Sequence, residues 1–231
     1  MPAHVTLAVA ALIWFAIHKV VAGSGLRGVL VAKLGNGPYR GLFALLSLGS
    51  LSFLIYAYRK APCDPLWTSP HFVYWLPLVM VPIAFVFVAG AFTVPNPTTV
   101  AGERALSRAE PARGMLRITR HPFLWGVMLW SATHLIVNGN VAALLLFSSM
   151  LATAAAGTRD IDRKRAASEG ERWSRYAAVT SNLPFAAIVS GRNRLALGEL
   201  VLPVILGALL AAVTLHYHAS FFGMSAFRAL R

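Results

Sequence analysis

Three histidines carry the chemistry open to this sequence. His18 sits in the apolar run "AALIWFAIHKVVAG", and His121 and His134 stand thirteen positions apart in "RITRHPFLWGVMLWSATHLIVNGN", residues 117 to 140. An ionisable side chain within an apolar segment is costly unless it faces the protein interior and finds a partner, so each is a functional candidate. Neutral imidazole is the commonest biological metal ligand, and histidines on separate helices suit axial ligation of a heme iron. Thirteen residues at about 100° each leave His121 and His134 about 140° apart around a single helix, so the two have separate jobs.

Pro122 suits the first helical position, which puts Arg120 and His121 at a helix N-terminus with Arg117 one turn earlier. Free backbone N–H groups and the helix dipole favour an anion there, a carboxylate or a phosphate. His134 lies deep in the same helix, with Trp130 and Ser131 one turn before it. The remaining histidines are weaker candidates. His4 and His71 fall at the ends of apolar runs, and His216 and His218, two residues apart, point about 200° apart on a helix and cannot serve one site.

The elements that must position these residues are membrane spans. With 57% hydrophobic residues, 13% charged residues and a mean hydropathy of +0.63, the 231-residue chain does not fit an ordinary soluble fold. Runs long enough to cross about 30 Å of hydrocarbon lie at about Val5–Ala22, Gly41–Tyr58, His71–Phe92, Pro122–Val137, Val141–Gly157 and Leu197–Leu215. The expected fold is an all-α polytopic membrane helix bundle of about six transmembrane helices, forming one domain over residues 1–231. Sixteen Lys and Arg residues fall in the segments after spans one, three and five and four (Arg59, Lys60, Arg228, Arg231) on the other side. The positive-inside rule then predicts an N-terminus outside the cytoplasm and an uncleaved first span.

The same asymmetry accounts for the net charge of +13 and the pI near 11.1 without nucleic acid, and anionic lipid can supply counter-charge. The single Cys63 can form no internal disulfide. Asn138-Gly139-Asn140 is a tight turn joining spans four and five. Beyond span five, "TRDIDRKRAASEGERWSRYAAV" predicts a solvated helix continuing the span, stopped by Pro184. Phe185–Val189 is too short to cross a bilayer and reads as an interfacial anchor or as a lid over a pocket mouth.

"LRITRHPFLWGVMLWSATHL", followed by "DIDRKRAASEG" and "TSNLPFAAIVSGR", resembles the NnrU family of bacterial membrane proteins and its plant relative, 15-cis-ζ-carotene isomerase. The resemblance runs from span one through Arg192. It implies heme b between the helices and a place in the bacterial inner membrane. It also implies either support of denitrification beside nitric oxide reductase components or isomerisation of a cis double bond in a carotenoid. Carried over residue by residue, it puts the heme ligands at His18 and His134, with His121 in the R-H-P motif; Ser131 stands where the isomerase has a cysteine. Helix rise, at about 1.5 Å per residue, instead puts His18 nearer in depth to His121, so both pairs stand. Arg117, Arg120 and Arg192 are expected to pair with the heme propionates.

A second resemblance is to membrane methyltransferases of the isoprenylcysteine carboxyl type, through R-H-P, a helical hairpin and then Asp162, Gly170, Trp173 and Tyr176. Ile161 replaces one expected acid. Four functional readings follow. The first is a heme b protein supporting nitrite and nitric oxide reduction. The second is a carotenoid isomerase admitting a hydrophobic polyene along Trp14, Trp125 and Trp130. The third is an S-adenosylmethionine-dependent methyltransferase, and the fourth a non-enzymatic assembly or regulatory factor.

Overall fold

The computed structural model describes residues 2–227. Arg228 and Arg231, counted above on the outer side, lie outside the described residues. In hydrocarbon every backbone N–H and C=O must be satisfied within its own segment, and a long apolar run meets that demand as a helix. Accordingly α1 (Ala3–Ala16) runs on as a π-helix over Ile17–Ala22 and is followed by α2 (Leu26–Leu34) and α3 (Asn36–Lys60). A 3-10 turn at His71–Trp75 leads into α4 (Leu76–Gly90), and after a long irregular segment come α5 (Met115–Ile118) and α6 (Pro122–Asn138). The chain then forms α7 (Val141–Glu169), α8 (Glu171–Ala178), α9 (Ala186–Val189) and α10 (Val201–Phe222).

Five segments have the length and apolarity to cross a membrane: Ala3–Ala22, Asn36–Lys60, His71–Gly90, Val141–Glu169 and Leu197–Phe222. The sixth predicted run, α6, has 17 residues, the lower limit of crossing length. The protein is an all-α, multi-pass membrane protein. Its chain packs as two compact units, Met1–Val73 with Ser131–Asp160, and Tyr74–Trp130 with Ile161–Arg231.

In the first unit α1 packs on α3, burying Leu7, Ala10, Ala11 and Trp14 from one helix and Leu54 and Ala57 from the other. Ala142, Ala143, Leu146 and Phe147 are the buried face of the first half of α7. The loop after α3 holds the turn between α6 and α7: Leu66 N and Trp67 N donate to Gly139 O, Val141 N donates to Asp64 O, and Ser69 Oγ donates to Ile136 O. Gly139 has φ +47°, and a Cβ there would lie 2.2 Å from Trp67 O, so the predicted tight turn requires glycine.

In the second unit α4 and α10 pack closely because Gly207 leaves room; a Cβ there would sit 2.6 Å from Val86 Cα. Small residues at a helix contact are how membrane helices approach without a hydrophobic driving force. The predicted helix continuing span five is two helices. Gly170, at φ +52°, ends α7 and starts α8, a conformation that glycine alone adopts without strain. Likewise α8 ends at Ala178, six residues before Pro184. Its C-terminal carbonyls are claimed from outside the helix, Ala178 O by Arg192 and Val179 O by Asn193. Phe185–Val189 contains the one-turn helix α9; Ala187 within it is fully buried and Val189 is 87% exposed.

Candidate functional site

His18 lies in the π-helical segment Ile17–Ala22, a rare conformation frequent at functional sites. Its Nδ1 is 2.9 Å from Trp14 O. A carbonyl can only accept, so Nδ1 carries the hydrogen and Nε2 keeps its lone pair, the form that binds a metal. A hydrogen bond from the other ring nitrogen to a carbonyl is also how metal-ligating histidines are held in orientation. The Trp14 ring lies 4.0 Å from the imidazole, and Phe43 of α3 meets it edge-on at 5.5 Å.

The π segment is fixed by an ion pair. Lys19 Nζ reaches both carboxylate oxygens of Asp160, at 2.9 and 2.8 Å, 141 residues further along the chain. The Asp160 side chain is 6% exposed and that of Lys19 is 44% exposed. Gly23, just past the segment, packs against the same carboxylate; a Cβ would be 2.5 Å from Asp160 Oδ2. Sequence reasoning missed Asp160, although a lysine within an apolar run is itself a signal that an acid must be sought.

His134 belongs to the same unit and stacks on Phe147 of α7 at 4.9 Å, with Phe147 meeting Tyr58 of α3 edge-on at 6.3 Å. Its backbone carbonyl accepts from Asn138 Nδ2. One turn before each of these two histidines stands a buried polar atom without a hydrogen-bond partner, Trp14 Nε1 before His18 and Ser131 Oγ before His134. Each such orphan costs about 1–3 kcal/mol, and both belong to the unit that holds the two ligand candidates. An imidazole with a free lone pair, aromatic neighbours and unsatisfied polar atoms make a donor set that fits heme.

His121 belongs to the second unit and is engaged differently. Its Nε2 is 2.7 Å from Asp162 Oδ1, and Arg120 Nε lies 3.2 Å from Asp162 Oδ2 as an ion pair rather than a well-aligned hydrogen bond. The anion expected at the start of α6 is thus supplied by the chain itself. Thr119 Oγ1 donates to Asn182 O, Thr98 Oγ1 to Arg120 O, and Arg120 N to Ser181 O, so the R-H-P segment is tied down on three sides. Burial holds the His121 pKa below its ordinary value, against the opposing pull of Asp162. Among the described residues its Nδ1 has no partner, nor does the hydroxyl of buried Tyr176, whose pKa burial raises.

The three arginines expected at heme propionates have acceptors within the second unit. Arg117, 5% exposed, is bound by Glu199 at 2.9 and 3.0 Å, by Glu110 at 2.7 Å and by Asn193 at 3.0 Å. Glu199 and then Glu110 hold its pKa above the ordinary value. Arg120 pairs with Asp162 and lies 6.0 Å from the Trp173 ring. Arg192 donates to the carbonyls of Ala178 and Thr180. Glu199 and Asn182 were not foreseen; Glu199 sits at the edge of an apolar run, where a lone acid signals a buried cation. Trp125 Nε1 donates to Asn182 O, which fixes one of the three tryptophans expected along a polyene. His4 pairs with Asp64 at 2.8 Å, and His218 Nδ1 lies 2.6 Å from Met224 O.

A multi-pass helical chain with histidines set among aromatic rings in its apolar helices defines the class. The NnrU protein family matches over residues 6–226, and the chain belongs to that family. It is similar to 15-cis-zeta-carotene isomerase, chloroplastic, of Zea mays, 25% identical over 202 residues that make up 83% of this chain and 52% of the relative. The Arabidopsis thaliana protein of the same description is 28% identical over 192 residues, 79% of this chain and 50% of the relative. The chain spans about half the length of these curated relatives. No solved structure is significantly similar to it.

Proposed function

We propose that this protein binds heme b in the unit that carries α1, where His18, through Nε2, and His134 would hold it. The observation that carries the proposal is the His18 tautomer, fixed by Trp14 O within a π-helical segment. Bound there, heme would supply a redox-active iron whose potential and reactivity are set by the residues that hold it and their surroundings. Trp14 O orients His18, the Lys19–Asp160 pair holds the segment in register, and Phe147 fixes the plane of the His134 ring. His121, with Nε2 committed to Asp162, is left outside this ligand set.

The reaction this supports is isomerisation of a cis double bond in an apolar polyene taken from the bilayer. The names of the two plant relatives favour it. Membership of the NnrU family favours a second reading, support of nitrite and nitric oxide reduction beside a nitric oxide reductase. The methyltransferase reading has less support, because Asp162, the acid its motif retains, is bonded to His121 and paired with Arg120. We place the protein in a bacterial cytoplasmic membrane with its N-terminus periplasmic, on the strength of the Lys and Arg distribution.

The test is the visible spectrum of the protein purified in detergent after heme is supplied. A Soret band is expected in the wild type, lost or strongly shifted in His18→Ala and in His134→Ala, and retained in His121→Ala. No Soret band in the wild type, or an unchanged band in both ligand variants, refutes the proposal. Expression in cells that accumulate 15-cis-ζ-carotene separates the two reactions: a changed isomer ratio supports isomerisation. Loss of nitric oxide reductase activity on deletion of the gene, with no change in carotenoid isomers, supports the second reading.

A further inference from the structure

The segment between α4 and α5 carries a charge imbalance that the heme proposal does not use. Two adjoining hollows of about 300 and 320 Å³ share Pro95 and Arg108; the first is also lined by Arg113 and the second by Arg104. All three arginines are exposed. The nearby carboxylates are already bound by other arginines: Glu103 by Arg165 at 3.1 Å, Glu110 by Arg117 at 2.7 Å, and Glu199 by Arg117 at 2.9 Å. Arg113 has only a distant hold on Glu199, at 3.9 Å. Glu110 also lines the first hollow, with its carboxylate held by Arg117, so the walls carry three arginines against one acid that is already paired.

The walls are built rather than loose. Buried Asn96 accepts from the backbone N–H of Thr98 and donates to Ala91 O, and Arg165 binds both Thr99 O and Glu103. Val100, 78% exposed, lines the second hollow, and Val94, Pro95 and Pro111 line the first. An apolar rim beside a cationic hollow, at the end of a membrane-crossing helix, suits a ligand with an anionic head and an apolar tail. A free phosphate would have no use for the rim.

We propose that Arg104, Arg108 and Arg113 form a binding site for the phosphate of an anionic phospholipid headgroup, with Val100 against its acyl region. Basic residues at a membrane surface attract anionic lipid by a term that adds for each cation.

The test is native mass spectrometry of the full-length protein in detergent, titrated with dioleoylphosphatidylglycerol or dioleoylphosphatidylcholine. Phosphatidylglycerol is expected to bind more tightly than phosphatidylcholine, and the double variant Arg104→Gln with Arg108→Gln to weaken it about thirtyfold. A control pair, Arg59→Gln with Lys60→Gln, removes the same charge from exposed residues at the end of α3 and is expected to leave binding unchanged. Equal binding of the two lipids, or an equal loss in the control pair, would overturn the site. Displacement of phosphatidylglycerol by millimolar inorganic phosphate would overturn the lipid as its source.

Discussion

The Lys19–Asp160 pair makes an asymmetric prediction. Asp160 is 6% exposed, whereas Lys19 is 44% exposed. Lys19→Met removes the cation bonded to both oxygens of a buried carboxylate, and breaking a buried pair from that side costs about 3–5 kcal/mol. Asp160→Asn leaves an ammonium already half in solvent, on a stem that can carry it outward, so its loss is nearer the value of an exposed pair, about 1 kcal/mol. Asn fills the same space against Gly23, so no cavity adds to that figure. A loss of 1 kcal/mol lowers the melting midpoint of a chain this size by about 2–4 °C. Thus Lys19→Met should lower it by about 6 °C or more and Asp160→Asn by about 2–4 °C. The double variant keeps neither charge of the pair and should melt above Lys19→Met alone. Intrinsic tryptophan fluorescence on heating in detergent reads all three midpoints. A larger loss in Asp160→Asn, or a double variant equal to the sum of the single ones, would falsify the burial argument.

Two further outcomes follow from the second unit. Burial holds the folded His121 pKa below the unfolded value of about 6.5, so between the two values the unfolded chain binds a proton that the folded chain refuses. Its contribution to stability is complete above about pH 6.5 and is lost as the pH falls toward the folded value; His121→Gln should therefore lose less of its melting midpoint than the wild type between about pH 7 and pH 5, and parallel curves would refute this. Tyr176→Phe removes a buried hydroxyl that has no partner and should leave stability unchanged or raise it by up to about 1 kcal/mol. A marked loss of melting temperature would show that the hydroxyl is bonded in solution.

What could be read from the sequence was need rather than partnership. A run such as Val141–Gly157 has one solution in hydrocarbon, so the long helices and the Asn138–Asn140 turn follow from composition and turn chemistry alone. The π-helix at Ile17–Ala22 does not, because one residue more per turn leaves the hydropathy of the run unaltered. Arg120, His121 and Pro122 together announced that an anion belongs at the start of α6. Nothing local could say that the anion is Asp162, 41 residues further on. Lys19 required an acid in the same way, and found it in Asp160.

These two acids, two residues apart in one stretch of α7, explain why the motif reads ambiguously. Residues a hundred degrees apart per step on a helix differ by about 200° over two, so Asp160 and Asp162 face opposite ways. Asp160 holds the segment that presents His18, and Asp162 holds the R-H-P start of α6. A pattern of adjacent acids sought for a bound cofactor therefore finds one acid displaced by a residue and both bonded to basic groups of the chain itself. The "DID" of residues 160–162 thus fastens two histidine-bearing segments, one through each acid.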